Sequence, residues 1–184
     1  PDAGGQNTAG GARGSWADAR GRASVIGGYR NAKGMTDRTK IFAEKYYKAV
    51  KSNLFSMFMV RLNDLVLMKG YTGLMTPISW MSLSSFESLR KILFESSTIT
   101  SFVQPEYNAF WDSAHVASCA FSLKAYSDKK YRGVYINLAG FYGGSIQSQK
   151  VLDAIKQPEI GYVYSASSFD FEKIPGSPVA YWIK

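Results

Sequence analysis

The chain of 184 residues is poor in reactive side chains: it has one cysteine, Cys119, and one histidine, His115. A single thiol excludes an internal disulfide framework, and Cys119 falls within the apolar run VASCAFSLK, where a structural role is expected. A lone histidine with no cysteine or carboxylate at ligand spacing argues against a metal site or a catalytic triad. Long apolar runs are missing too. Asn63, Asp64 and Lys69 interrupt the longest stretch well before the roughly 20 residues a bilayer requires, and the amino terminus has no signal-peptide core. A reducing cytoplasm is the compartment expected. Acidic residues are scarce, 14 against 22 Lys and Arg, for a net charge of +8. The imbalance is local: residues 1–69 carry 12 basic and 5 acidic side chains, and residues 70–184 carry 10 and 9.

What remains, 46% hydrophobic and 20% charged residues, is the composition of one ordinary globular domain. Residues 1–25 are dominated by Gly, Ala and Arg, show neither helical nor strand periodicity, and read as a flexible leader ahead of an α/β domain over residues 26–184. The glycines of GGARG, Gly10 to Gly14, have no strand before them and no patterned helix after them, so a phosphate loop is not expected there. Asn53 to Met68 reads as a buried helix, with Ser52 as N-cap and Gly70 as the residue after its end. Tyr71 to Thr76 reads as a buried strand and Thr76 to Met81 as the loop at its end. Ser84 and Glu87 suggest a capping box opening a helix over Ser85 to Glu95. Thr98 to Gln104 and Val116 to Lys124 read as strands, and Tyr131 to Leu138 as a hairpin partner of the latter. A turn over Gly140 to Gly144, a short helix over Ser148 to Lys156, a brief strand over Gly161 to Tyr164 and an extended tail set by Pro175, Gly176 and Pro178 complete the reading. Alternating helices and strands point to one half of a doubly wound α/β domain, in which ligands lie beyond the carboxyl ends of the strands.

Three blocks in order, SNLFSMFMVRL, KGYTGLMTPISWM and SSFESLRKIL, lie between Lys51 and Leu93, and FEKIPGSPVAYWIK closes the chain from Phe171 to Lys184. From about Tyr29 onward this sequence resembles adenine-specific DNA methyltransferases, most nearly the methyltransferase subunit of bacteriophage-exclusion (BREX) systems. The resemblance implies the second half of a Rossmann-like methyltransferase domain, S-adenosylmethionine as the parent family's cofactor, and DNA as partner. Where the family carries Asn-Pro-Pro-Tyr, this chain has Ile26, Gly27, Gly28 and Tyr29. In such enzymes the target adenine is swung out of the duplex, and the Asn side chain and adjacent carbonyl accept hydrogen bonds from its exocyclic amine. Ile26 has no acceptor, and two glycines replace two prolines of restricted φ. Tyr29 keeps a ring able to stack on a base. By the same resemblance Phe110 is the aromatic that packs against the flipped base, and Thr76, Pro77 and Trp80 belong to the substrate-side loop.

The family's glycine-rich cofactor loop and the acidic residue after its second strand precede the Asn-Pro-Pro-Tyr position, so no cofactor-binding residue is assigned here. The expected protein is therefore a fragment, from a truncated or rearranged gene, that is inactive alone. The sharp change of composition near Tyr29 fits a leader read out of frame, which the parent nucleotide sequence tests. The strand Tyr71 to Thr76 is expected to lack its neighbour, leaving an apolar edge that favours self-association or pairing with a companion chain. The alternative is a noncatalytic nucleic-acid or protein-interaction module. It would use that edge and the basic, aromatic stretch containing Arg30, Lys33, Arg38 and Lys40, a stretch that reads equally as a solvated helix face.

Overall fold

The computed structural model describes residues 16–17, 22–26, 32–109 and 116–183. In chain order these form strands β1 (Trp16–Ala17) and β2 (Arg22–Ile26), helices α1 (Asp37–Tyr46) and α2 (Leu54–Leu65), β3 (Tyr71–Pro77), α3 (Glu87–Ser96), β4 (Thr98–Gln104), β5 (Ser118–Lys124), β6 (Gly133–Asn137), α4 (Gly144–Lys156), β7 (Val163–Ala166) and α5 (Ser168–Glu172). Among the described residues the strands make one sheet in the order β1-β2-β3-β5-β4-β6-β7. β2 runs parallel to β3 and β4 parallel to β6, while β5 is antiparallel to both β3 and β4. It follows that β2, β3, β4 and β6 share one direction and end on one edge.

The strand β2 corrects the reading of the leader and of the sheet edge. Arg22 pairs with Tyr71 and Ile26 with Met75, so the side of β3 expected to be bare is occupied. Ala23, Ser24, Val25 and Ile26 are enough to complete a parallel ladder, because pairing satisfies backbone groups that an edge leaves open.

The sheet is covered on both faces, as the expected α/β class requires. Phe55, Met59 and Leu62 of α2 and Leu89, Leu93 and Phe94 of α3 bury one face together with Leu74, Phe102, Phe121, Leu123 and Tyr135. On the other face Val151 and Ala154 of α4 meet Ile136 and Leu138. The tail adds to the first of these cores rather than running free: Val179 and Tyr181 are buried there.

Four local expectations give way to tertiary contacts. Helix α2 stops at Leu65 instead of Met68, because Val66 turns extended and is itself buried. The turn that follows places Lys69, not Gly70, at positive φ (64°), where Lys69 N donates to Ala125 O at 2.9 Å and Ala125 N to Gly70 O at 2.8 Å. The N-cap is Asn53 rather than Ser52, and the Ser56 hydroxyl serves the first turn by donating to the Val50 and Asn53 carbonyls, both at 2.6 Å. Ser84 and Glu87 form no capping box: Ser84–Phe86 is a 3-10 turn, and the Glu87 carboxylate instead takes the Lys91 ammonium at 2.7 Å. A true capping box, Ser167 with Asp170, opens α5 just before the tail.

A further change concerns β6, which pairs with β4 and β7 and not with β5. The connection is carried across the start of β4, where Ser127 Oγ donates to Phe94 O at 2.6 Å and Asp128 N to Thr98 Oγ1 at 2.8 Å. At the first residue of β6 the ladder approaches closely: a Cβ on Gly133 would lie 2.4 Å from Ile99 O. Gly133→Ala is accordingly expected to destabilise the fold by about 1–3 kcal/mol, the usual cost of forcing backbone apart in a packed site, read as a lower urea midpoint with an unchanged slope.

Candidate functional site

The shared edge at the ends of β2, β3, β4 and β6 is the place where open α/β sheets receive ligands. Directly after β3 the chain makes a 3-10 turn, Ile78–Met81. Thr76, Pro77 and Trp80 lie on its inner side, all buried, with Trp80 wholly inaccessible. The Trp80 indole donates to Thr76 Oγ1 at 3.1 Å and its ring packs 5.1 Å from Phe121 and 6.4 Å from Phe102. Those three residues, expected to face substrate, instead form the floor beneath the loop, because the largest apolar ring fills the space between two core phenylalanines. Cys119 completes the cluster, its Sγ 3.6 Å from Thr76 Oγ1. Burial pushes its thiol pKa up to about 12, and the side chain is fully enclosed. A thiol-specific disulfide reagent at pH 8 is therefore expected to leave Cys119 unmodified in the native chain and to react stoichiometrically after denaturation.

The loop is fixed from the other side by Arg90, a buried arginine with no carboxylate in contact. Its Nη1 donates to Trp80 O and to Leu83 O, both at 2.8 Å. Nε and Nη2 donate to Gly176 O at 3.0 and 2.6 Å. Burial lowers the guanidinium pKa from its ordinary value, with Glu87 opposing, and the group stays charged. Arg90 thus clips the β3 loop to the tail, and Val179 N donating to Met81 O at 2.8 Å adds a second tie. Farther along the tail, Tyr181 stacks on Tyr135 at 5.0 Å and donates to Gln104 Oε1 at 2.6 Å. Between loop, strand ends and tail lies a groove of about 460 Å³ walled by Ile78, Met81, Leu83 and Trp182, with Gln104 and Asn137 at the strand ends. Nothing in the local sequence pattern announced Arg90; the available signal was its spacing of four from both Phe86 and Phe94, which are buried.

Of the base-side candidates, Gly27, Gly28, Tyr29 and Phe110, together with Arg30, Trp111 and His115, lie outside the described residues. Their chain neighbours are placed. Ile26 ends β2 in register with Met75, two residues before the end of β3. The end of β4 and the start of β5, which flank Phe110 in sequence, lie at that same edge. Lys33, Arg38 and Lys40 are exposed along and just before α1, whose Thr36 cap accepts from Thr39 N at 3.3 Å. Lys40 pairs with Asp37 at 3.2 Å, whereas Lys33 and Arg38 have no ion pair among the described residues. At the glycine-bearing junction between β6 and α4 the Gln147 side chain accepts from Glu106 N at 3.2 Å and donates to Phe141 O.

The strand directions, with helices on both faces, define the second half of a doubly wound, Rossmann-like methyltransferase fold. The methyltransferase subunit of a type I restriction-modification system from Streptococcus thermophilus has this fold: it aligns with 76% of this chain and 33% of its own, at a TM-score of 0.54 and 15% identity. Residues 28–110 match the family described as Eco57I restriction-modification methylase. Over 143 residues the chain is 37% identical to the adenine-specific methyltransferase PglX of Lacticaseibacillus casei (strain Zhang), covering 77% of this chain and 12% of PglX. Over 156 residues it is 31% identical to the adenine-specific methyltransferase BrxX of Escherichia coli O9:H4 (strain HS), covering 84% of this chain and 12% of BrxX. The chain belongs to this family of PglX- and BrxX-like adenine-specific methyltransferases, and it spans 12% of the length of these relatives. No helix among the described residues is long and apolar enough to cross a membrane.

Proposed function

We propose that these residues are the base-handling half of an adenine-specific DNA methyltransferase of the restriction-modification or phage-defence type, acting in the cytoplasm, and that they transfer no methyl group by themselves. The observation that carries this reading is the parallel register of β2 on β3. It ends β2 at Ile26 on the ligand edge, and the resemblance puts Asn-Pro-Pro-Tyr at Ile26 to Tyr29. An adenine amine placed there finds no side-chain acceptor at Ile26, while Tyr29 and Phe110 supply rings for stacking, worth about 1–3 kcal/mol per base. S-adenosylmethionine is then held by residues other than these, and a companion segment or chain completes the site.

Titration calorimetry of the purified chain with S-adenosylmethionine into the millimolar range is expected to show no saturable heat. Adding a polypeptide with the cofactor half, together with Ile26→Asn, Gly27→Pro and Gly28→Pro, is expected to give methyl transfer to adenine in duplex DNA. Saturable cofactor binding by the unaltered chain, or methylation without those substitutions, overturns the reading.

One observation favours a second reading, a noncatalytic nucleic-acid interface along α1. Lys33 and Arg38, which have no ion pair among the described residues, lie just before and on the helix that carries Phe42 and Tyr46, both exposed with ring centroids 4.9 Å apart. Under it, duplex DNA binds weakly, without regard to sequence, and affinity falls steeply as salt rises. Anisotropy titrations at several salt concentrations measure this, and a salt-independent affinity removes it.

A further inference from the structure

The groove at the ends of β4 and β6 has a donor pattern that the methyltransferase reading does not use. Gln104 and Asn137 are register partners on adjacent parallel strands, so their side chains leave the same face about 4.8 Å apart. Each has its oxygen committed. Gln104 Oε1 accepts from the Tyr181 hydroxyl at 2.6 Å, and Asn137 Oδ1 accepts from Ala139 N at 3.1 Å. Burial raises the Tyr181 pKa, which keeps that hydroxyl protonated as the donor. Both residues line the groove, and neither NH2 has a partner among the described residues. The walls are flat or apolar, with Trp182, Ile78, Met81 and Leu83, and among the described residues no Lys or Arg lines the groove.

We propose that this groove is a second base-binding site, which takes a guanine through its O6 and N7 acceptors with the ring against Trp182. Two side-by-side donors match that edge. Adenine would set its N6 donor against one of them, and cytosine its N4 donor, so both are rejected. The missing cations disfavour a phosphate as occupant. Arg90 holds both walls, through Leu83 on the loop and Gly176 on the tail, so the site is formed before the base arrives. The source of the base, an unstacked guanine in DNA, rests on the methyltransferase reading, but the binding itself does not.

The test is a nuclear magnetic resonance titration of the whole 15N-labelled chain with guanosine, adenosine and inorganic phosphate separately. Guanosine is expected to shift the Gln104 and Asn137 side-chain amides and the Trp182 indole saturably, with adenosine weaker by roughly tenfold or more. The double variant Gln104→Glu, Asn137→Asp keeps acceptors for Tyr181 and Ala139 but turns both NH2 donors into acceptors. It is expected to lose guanosine affinity by roughly tenfold or more while the buried Trp80 indole resonance stays in place. Equal response to adenosine, a response to phosphate alone, no response to guanosine, or retained binding in the double variant each overturns the assignment. Methyl transfer is not read in this experiment, so its failure leaves the methyltransferase reading intact, and the reverse also holds.

Discussion

Replacing Arg90 by alanine is expected to cost about 3–5 kcal/mol of folding stability, measured by urea unfolding, a loss of the size that breaking a buried hydrogen-bond network produces. The side chain is 1% exposed and gives hydrogen bonds to three carbonyls, those of Trp80, Leu83 and Gly176. Without it those acceptors face a vacated space, and each buried acceptor left unpaired costs about 1–3 kcal/mol unless water replaces the donor. Arg90→Lys is expected to recover little. A single ammonium on a flexible stem cannot address both the loop and the tail, whereas the planar guanidinium presents its donors in a fixed fork. The same variants should release the tail, so limited proteolysis is expected to cleave Arg90→Ala between residues 174 and 183 at protease levels that leave the parent chain intact. A change under about 1 kcal/mol with an uncleaved tail would show that the clip is incidental.

Truncating Trp80 is the second large effect. Trp80→Ala is expected to lose about 3–5 kcal/mol, as for other fully buried aromatics, since the indole fills the gap between Phe102 and Phe121. Trp80→Phe should cost far less: the ring volume is mostly kept, and Thr76 Oγ1, deprived of the indole donor, still donates to Pro77 O at 3.3 Å. Thiol chemistry gives an independent readout, because Cys119 lies in the same cluster. In Trp80→Ala the thiol is expected to react under native conditions, and in Trp80→Phe to stay protected. Trp80 also supplies a carbonyl to Arg90, so the two alanine variants combined should fall short of the sum of their separate losses.

Helix α3 and strands β3, β4 and β5 were readable from periodicity because each packs one face on a core, and burial imposes the repeat that the pattern reports. Strand β2 was not. Its five residues sit among glycines and alanines, and only the unfilled ladder of β3 gives them a reason to be extended. The partner of β6 was unreadable for a related cause. A strand following a strand suggests a hairpin, yet the Ser127 and Asp128 hydrogen bonds to residues 94 and 98 carry the chain past β4 instead.

The candidate site divides in the same way. Motif order put Ile26 to Tyr29 and Phe110 on the substrate side, and of these only Ile26 is among the described residues; it also put Trp80 there, which is buried, because a tryptophan in a strand-end loop looks the same in sequence whether it faces out or in. Arg90 was invisible, since an arginine on an amphipathic helix reads as solvated until its burial is known. What the sequence alone determined was the α/β class, the family and the positions of β3, β4 and β5, for these follow from local repeats and the order of motifs. Which arginine joins loop to tail, which tryptophan is floor and which amides line the groove were decided by tertiary packing. Those outcomes depend on partners distant in the chain: 86 residues separate Arg90 from Gly176 and 77 separate Gln104 from Tyr181.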